Sequence, residues 1–171
     1  MAKILIAFFS MTGETHADGE IIKLEKGFTQ MAAEYVHEAV GGDLFHIRRI
    51  RKYSEDHDTM LNEAKAEIQN KETPKLKEYL DSIEKYDIIF LAYPNWWYSL
   101  PGPVATFLTH YNFRGKKIIP LNTSGGGGFA DSYDEIEMLA RGAQIARGMT
   151  IPGAKVERKE QEIKDWAKAQ V

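Results

Sequence analysis

The amino-acid sequence predicts a doubly wound α/β sandwich, a parallel sheet covered by helices on both faces. Three observations carry this. Four short runs, Ile4 to Phe9, Leu44 to Ile47, Ile88 to Tyr93 and Ile118 to Leu121, have strand length and are apolar on both faces. Strands of that kind belong to parallel sheets buried between helix layers, whereas a half-exposed antiparallel sheet alternates. Segments with helical spacing lie between them, and strands alternating with helices imply right-handed βαβ crossovers. No repeat, low-complexity tract or linker-like stretch divides the chain, so residues 1–171 read as one domain.

Along the chain, the first run leads into Ser10-Met11-Thr12-Gly13-Glu14-Thr15, hydroxyls beside glycine of the kind that receive a phosphate before a helix. The helix does not follow. Asp18-Gly19 is a hairpin turn signal and Ile22 and Leu24 alternate, which predicts an inserted β-hairpin from Glu14 to Lys26. Helical periodicity begins at Thr29, continues through Ala32, Tyr35, Val36, Ala39 and Val40, and stops at Gly41-Gly42. Met60, Leu61, Ala64 and Ile68 predict a second helix. Leu76, Tyr79, Leu80 and Ile83 predict a third, with Pro74 near its first turn. Val104, Phe107 and Leu108 mark a fourth, entered through Pro101-Gly102-Pro103. Ile136, Leu139 and Ala140 mark a fifth, Met149-Thr150-Ile151 a short fifth strand, and Ile163, Trp166 and Ala167 a closing helix.

Composition narrows the chemistry. With no cysteine there are no disulfides, thiolate metal sites or cysteine nucleophiles, so redox chemistry here needs a bound cofactor. A net charge of −3 offers no electrostatic case for nucleic acid. No run approaches the ~18 apolar residues of a membrane span, and the apolar N-terminal run is too short for a signal peptide, so a cytoplasmic protein without membrane contact is expected. The basic run Arg48-Arg49-Ile50-Arg51-Lys52 reads as a solvated strand end or loop. His16, His37, His46, His57 and His110 lack metal-ligand spacing and read as surface or structural residues; no metal site is expected.

In a doubly wound sheet ligands bind beyond the carboxyl ends of the strands. Behind the third apolar run stands Tyr93-Pro94-Asn95-Trp96-Trp97-Tyr98, where adjacent indoles on an extended chain point opposite ways, one to the core and one to the ligand side. Behind the fourth stands Asn122-Thr123-Ser124 followed by four glycines, read either as a flexible connector or as bare backbone open to a ligand. Hydroxyls, aromatics and bare backbone on one crevice suit a ligand with a phosphate at one end and a flat heteroaromatic ring at the other.

These residues resemble the flavodoxin-like family. The segments "YDIIFLAYPNWWYSLPGPVATFL" and "KKIIPLNTSGGGGF" carry the resemblance most specifically, and it extends from "KILIAFFSMTG" to the last helix. It implies a five-stranded sheet of order 2-1-3-4-5, the hairpin being an insertion after strand 1, and bound FMN with no catalytic side chain demanded. The family's phosphate loop opens a helix directly, which "SMTGETH" cannot do here. The expected phosphate site is therefore split: Ser10, Met11 and Thr12 supply one half, and Gly27, Phe28 and Thr29 restore the other after the hairpin, while Gly13 to Thr15 remain open as further contacts. Lys26, Glu14 and His16 are expected to be solvated. By resemblance, Pro94, Asn95, Trp96 and Trp97 border the isoalloxazine ring, and Thr123, Ser124, Gly125 and Gly126 approach its pyrimidine edge. Two roles stay open. One is an electron carrier docking on redox partner proteins, which the modest acidity disfavours. The other is an FMN-dependent oxidoreductase acting with NAD(P)H on a quinone-type small acceptor. A flavin-free regulatory module lacks its usual acidic cluster here, and a homodimer is compatible with the sequence.

Overall fold

The computed structural model describes residues 1–171. Strand β1 (Ile4–Phe8) lies between β4 (Asp43–His46) and β5 (Ile88–Pro94), and β5 pairs in turn with β6 (Lys117–Ser124). All these pairings are parallel, as runs apolar on both faces require. Leu5 and Ala7 of β1 pack in one core with α2 (His57–Gln69), α3 (Gly102–His110) and α4 (Ser132–Leu139). Ile6 and Phe8 face a second core with α1 (Phe28–Val40) and α5 (Glu160–Lys168). The fold is a flavodoxin-like doubly wound sandwich, and no helix is long and apolar enough to cross a membrane.

The short strand expected at Met149-Thr150-Ile151 forms as β8 (Met149–Pro152), which pairs with the end of β6, and a further two-residue strand, β7 (Gln144–Ile145), pairs with its start. The gap between β7 and β8 faces Pro120, which has no N–H to give to a neighbouring strand. There Gly148 crosses so close that a Cβ would lie 2.2 Å from the Pro120 carbonyl oxygen, and its N–H donates to the Tyr133 hydroxyl instead. The inserted hairpin forms as the turn signal predicts: β2 (Gly13–Ala17) pairs antiparallel with β3 (Glu20–Leu24). Asp18 at φ 51° and Gly19 at φ 84° make the left-handed two-residue turn that matches strand twist.

The predicted third helix is absent. Residues 74–83 run without helical structure, and Leu76 forms an antiparallel bridge with Arg49. Neighbouring chain takes the hydrogen bonds a helix would have used: Ile50 N–H donates to Lys75 C=O at 3.1 Å and Lys77 N–H to Arg48 C=O at 2.7 Å. The Tyr111 hydroxyl accepts from Leu80 N–H at 2.7 Å and donates to Leu80 C=O at 3.0 Å. Leu76 and Ile83 are buried, so the apolar spacing marked burial correctly. A stretch this short has little helical stability of its own, and tertiary bonds override it.

The basic run also departs from expectation at one residue. Arg49 donates to Glu67 at 2.9 Å, approaches Glu63 at 3.4 Å and lies 3.4 Å over the Tyr53 ring, while Glu67 is only 2% exposed. A carboxylate that deep must be paired. Glu67 takes the Arg49 guanidinium and the Tyr53 hydroxyl, and sits against Gly102 at the N-terminus of α3.

His46, at the end of the edge strand β4, stacks on Phe8 with ring centroids 4.5 Å apart. Burial, and secondly the Arg48 charge, lower its pKa from 6.5 to about 4. The unfolded chain therefore binds more protons than the folded one between these values. Stability contributed by neutral His46 is present above pH 6.5 and lost as pH falls toward 4. After allowance for partial exposure, the loss is about 1 to 2 kcal/mol. Urea midpoints measured across this interval are expected to fall, and His46→Phe to flatten that part of the profile.

Candidate cofactor-binding site

Helix α1 starts in an unusual way. Its N-cap is Gly27, which has no side chain to cap with, and its first turn carries no acidic residue. The cap comes from 20 residues earlier: Gln30 N–H donates to the Ser10 hydroxyl at 3.0 Å. The two halves of the split loop are thereby fastened together. Gly27 lets them meet, since a Cβ there would lie 2.2 Å from both the Met11 carbonyl oxygen and Ser10 Oγ. The Phe28 and Thr29 amides have no intrahelical partner and stand at the positive end of the helix dipole, a ready anion site. Thr29 is buried, and its hydroxyl shares a 2.7 Å hydrogen bond with the Thr123 hydroxyl, tying the α1 start to the end of β6. Lys26, expected in solvent, is ion-paired with Glu34 at 2.7 Å, which raises its pKa.

Over these elements lies a cavity of about 490 Å³, within the range of small-molecule sites. Of the residues predicted for the site, Met11, Thr12, Phe28, Thr29, Pro94, Asn95, Trp96, Thr123, Ser124 and Gly125 line it. Ser10, Gly27, Trp97 and Gly126 are outside its lining. Ser10 and Gly27 act from behind, as the fastening just described.

The two indoles part ways. Trp96 is buried edge-on against Phe9 and Tyr53, at 5.1 and 4.9 Å between centroids, and still borders the cavity. Trp97 is 43% exposed; its indole N–H donates to Leu61 C=O at 3.0 Å on α2. Thus the core-side ring is the one that reaches the cavity. Trp97 at φ 51° and Tyr98 at φ 63° form a left-handed turn closed by two hydrogen bonds between Trp96 and Ser99. Such conformations cost on the order of 1 to 3 kcal/mol each in non-glycine residues and persist only when their surroundings over-determine them. Here Glu135 of α4 accepts from the Ser99 hydroxyl at 2.8 Å and Leu100 N–H at 3.2 Å, and Asp131 N–H donates to Tyr98 C=O. Burial pushes the Glu135 carboxyl up.

The glycine loop is organised rather than loose. The Ser124 hydroxyl accepts from the amides of Gly126 at 3.4 Å and Gly128 at 3.1 Å. The Asn95 side-chain amide donates to Gly128 C=O at 2.8 Å, so the loops after β5 and β6 are joined. Gly125 retains open space around it and lines the cavity.

Gly13 to Thr15, left open as further contacts, line the cavity too. The sequence did not assign the rest of the wall: His16 to Gly19 and Leu24 of the hairpin, His57, Met60 and Leu61 of α2, and Gly153 and Ala154 after β8. The last pair was in reach of the strand-end rule, because β8 points its carboxyl end there. The hairpin and α2 contributions depend on how distant segments fold back, and nothing local signals them. His16 and His57 meet edge-on at 4.5 Å within this wall.

The free amides at α1 offer donors to a phosphate, and Trp96, Thr123, Ser124 and Gly125 line the same cavity, a set of residues that suits a flavin mononucleotide. The chain belongs to the flavodoxin family: the family profile described as Flavodoxin matches residues 3–170. No curated protein sequence matches it. Among solved structures it is similar to a candidate flavoprotein of Bacteroides eggerthii, with 28% identity over 99% of this chain and 98% of that one and a TM-score of 0.77. A second candidate flavoprotein, from Bacteroides uniformis, shows 29% identity over 95% and 98% with a TM-score of 0.71. A flavoprotein of Lactobacillus acidophilus solved in complex with FMN shares the fold at 19% identity, 92% and 98% coverage and a TM-score of 0.64.

Proposed function

We propose that the protein binds FMN in this cavity and passes electrons through it to a redox partner protein or a small acceptor. The observation that carries the reading is convergence: the free amides of Phe28 and Thr29, the Trp96 turn and Gly125 open onto one cavity. The flavin, when bound, supplies the electron chemistry. The chain binds and orients it. Thr12 and the α1 amides hold the phosphate; Pro94, Asn95 and Trp96 flank the ring; Thr123, Ser124 and Gly125 meet its pyrimidine edge. Ser10 and Gly27 shape the phosphate pocket. Trp97 and Gly126 support the two ring loops from outside.

A second reading, an NAD(P)H-dependent reductase of quinone-type acceptors, is favoured by Trp97 and Tyr98, which stand 43% and 66% exposed on the turn that also carries Trp96 and provide an apolar shoulder for a flat acceptor. Titrating apoprotein with FMN is expected to quench flavin fluorescence with a sub-micromolar Kd, on the order of 8 kcal/mol or more of binding free energy. No spectral change at micromolar FMN overturns the reading. NAD(P)H oxidation with quinones then separates the roles: a rate no faster than free FMN identifies a carrier.

A further inference from the structure

We infer that the β2–β3 hairpin restricts the site to a flavin phosphate monoester and excludes flavins whose phosphate continues into a diphosphate; this rests on the FMN reading above. Both strands grow out of the split loop. β2 begins one residue after Thr12, and β3 ends three residues before Gly27, so the hairpin stands at the same loop as the Phe28 and Thr29 amides. Gly13 to Gly19 and Leu24 face the cavity.

The wall is anchored at both ends. At its base Glu14 N–H donates to Glu55 C=O at 2.8 Å, and His57 N–H donates to the Glu14 carboxylate at 3.2 Å. Gly13 is packed so tightly there that a Cβ would lie 2.7 Å from Glu55 Cβ. At its tip Asp18 comes within 3.9 Å of Arg158, which lies just ahead of α5. On the FMN reading, a phosphate monoester held at the Phe28 and Thr29 amides would end inside this wall, whereas a diphosphate would have to pass through it.

Charge acts in the same direction. The cavity lining includes no lysine or arginine, while the hairpin brings Glu14 and Asp18. Nearby cations are already paired: Lys26 with Glu34 at 2.7 Å, Lys23 within 4.0 Å of Glu55, and Arg158 within 3.9 Å of Asp18 itself. A second phosphate therefore meets Glu14, which has no cationic partner, and no free cation in the lining. Because exposed charges are screened by salt, the steric wall is the larger effect.

The test compares FMN and FAD binding to apoprotein by flavin fluorescence. One variant replaces residues 14–23 with Asn-Gly, which leaves Gly13 and Leu24 joined by a two-residue turn. A second, Gly13→Ala, displaces the base of the hairpin from Glu55 and covers the case in which the shortened chain does not fold. Wild-type protein is expected to prefer FMN over FAD by at least ~100-fold, and the shortened variant by less than ~10-fold, chiefly through tighter FAD binding. Gly13→Ala is expected to move the ratio the same way. Equal affinities in the wild type, or an unchanged ratio in a folded variant, overturn the inference. Failure of the wild type to bind FMN overturns the FMN reading instead.

Discussion

Gly27→Ala is expected to lower FMN affinity about 100-fold, equivalent to ~2.7 kcal/mol, while leaving a folded protein. A glycine-to-alanine change at ordinary backbone angles normally stabilises by ~0.4 to 1 kcal/mol, and Gly27 has such angles, φ −68° and ψ 155°. Here the new methyl would sit 2.2 Å from both the Met11 carbonyl oxygen and Ser10 Oγ, so the two halves of the loop must separate. That withdraws the Ser10 cap from Gln30 and spoils the pocket at the Phe28 and Thr29 amides. Overpacking of this kind costs roughly 1 to 3 kcal/mol, which denaturant midpoints report alongside the FMN titration. Gly125→Ala provides the contrast, since no atom lies within 4 Å of a Cβ there. Its urea midpoint is expected to stay near wild type.

Glu67→Ala is expected to destabilise the fold by about 3 kcal/mol, the low end for breaking a buried ion pair. It leaves Arg49, whose side chain is 13% exposed, with the more distant Glu63 as its one carboxylate partner beside the Arg51 carbonyl, and removes the acceptor of the Tyr53 hydroxyl. In a chain of this size the melting temperature drops by roughly 10 °C. Replacing the pair together, Arg49→Met with Glu67→Leu, is expected to recover much of that loss, because no unpaired buried charge remains. Tyr53 packs against Trp96, so the single variant also loosens the cavity wall. Thermal scans of both variants decide this; equal losses in the single and the double variant contradict it.

Where sequence and structure agree, the relevant physics is local. Runs of strand length apolar on both faces suit buried parallel strands, and β1, β5 and β6 are that. Asp18-Gly19 encodes its own left-handed turn, so the hairpin could be read from two residues. The absence of a helix after Thr15 was equally local, and it led to the split loop that Ser10, Met11 and Gly27 now close.

Disagreement arises where distant groups compete for the same backbone or charge. Leu76 to Ile83 has helical spacing, but Arg48 and Tyr111 take the hydrogen bonds of Lys77 and Leu80, Ile50 bonds Lys75 just before them, and the segment stays out of a helix. Arg49 sits in a run that looks solvated, and only the fold brings Glu63 and Glu67 to it. The hairpin's place as a cavity wall rests on Glu14 meeting Glu55, 41 positions away.

Residue type and spacing alone thus specify a parallel sheet, a hairpin in place of the first helix turn, and loops rich in hydroxyl, indole and glycine at the strand ends. Which indole borders the cavity, which carboxylate is buried, and what the hairpin covers follow from long-range packing. The physical reason is that turn and strand preferences act over a few residues, while burial and pairing depend on contacts that exist only after the chain has closed on itself.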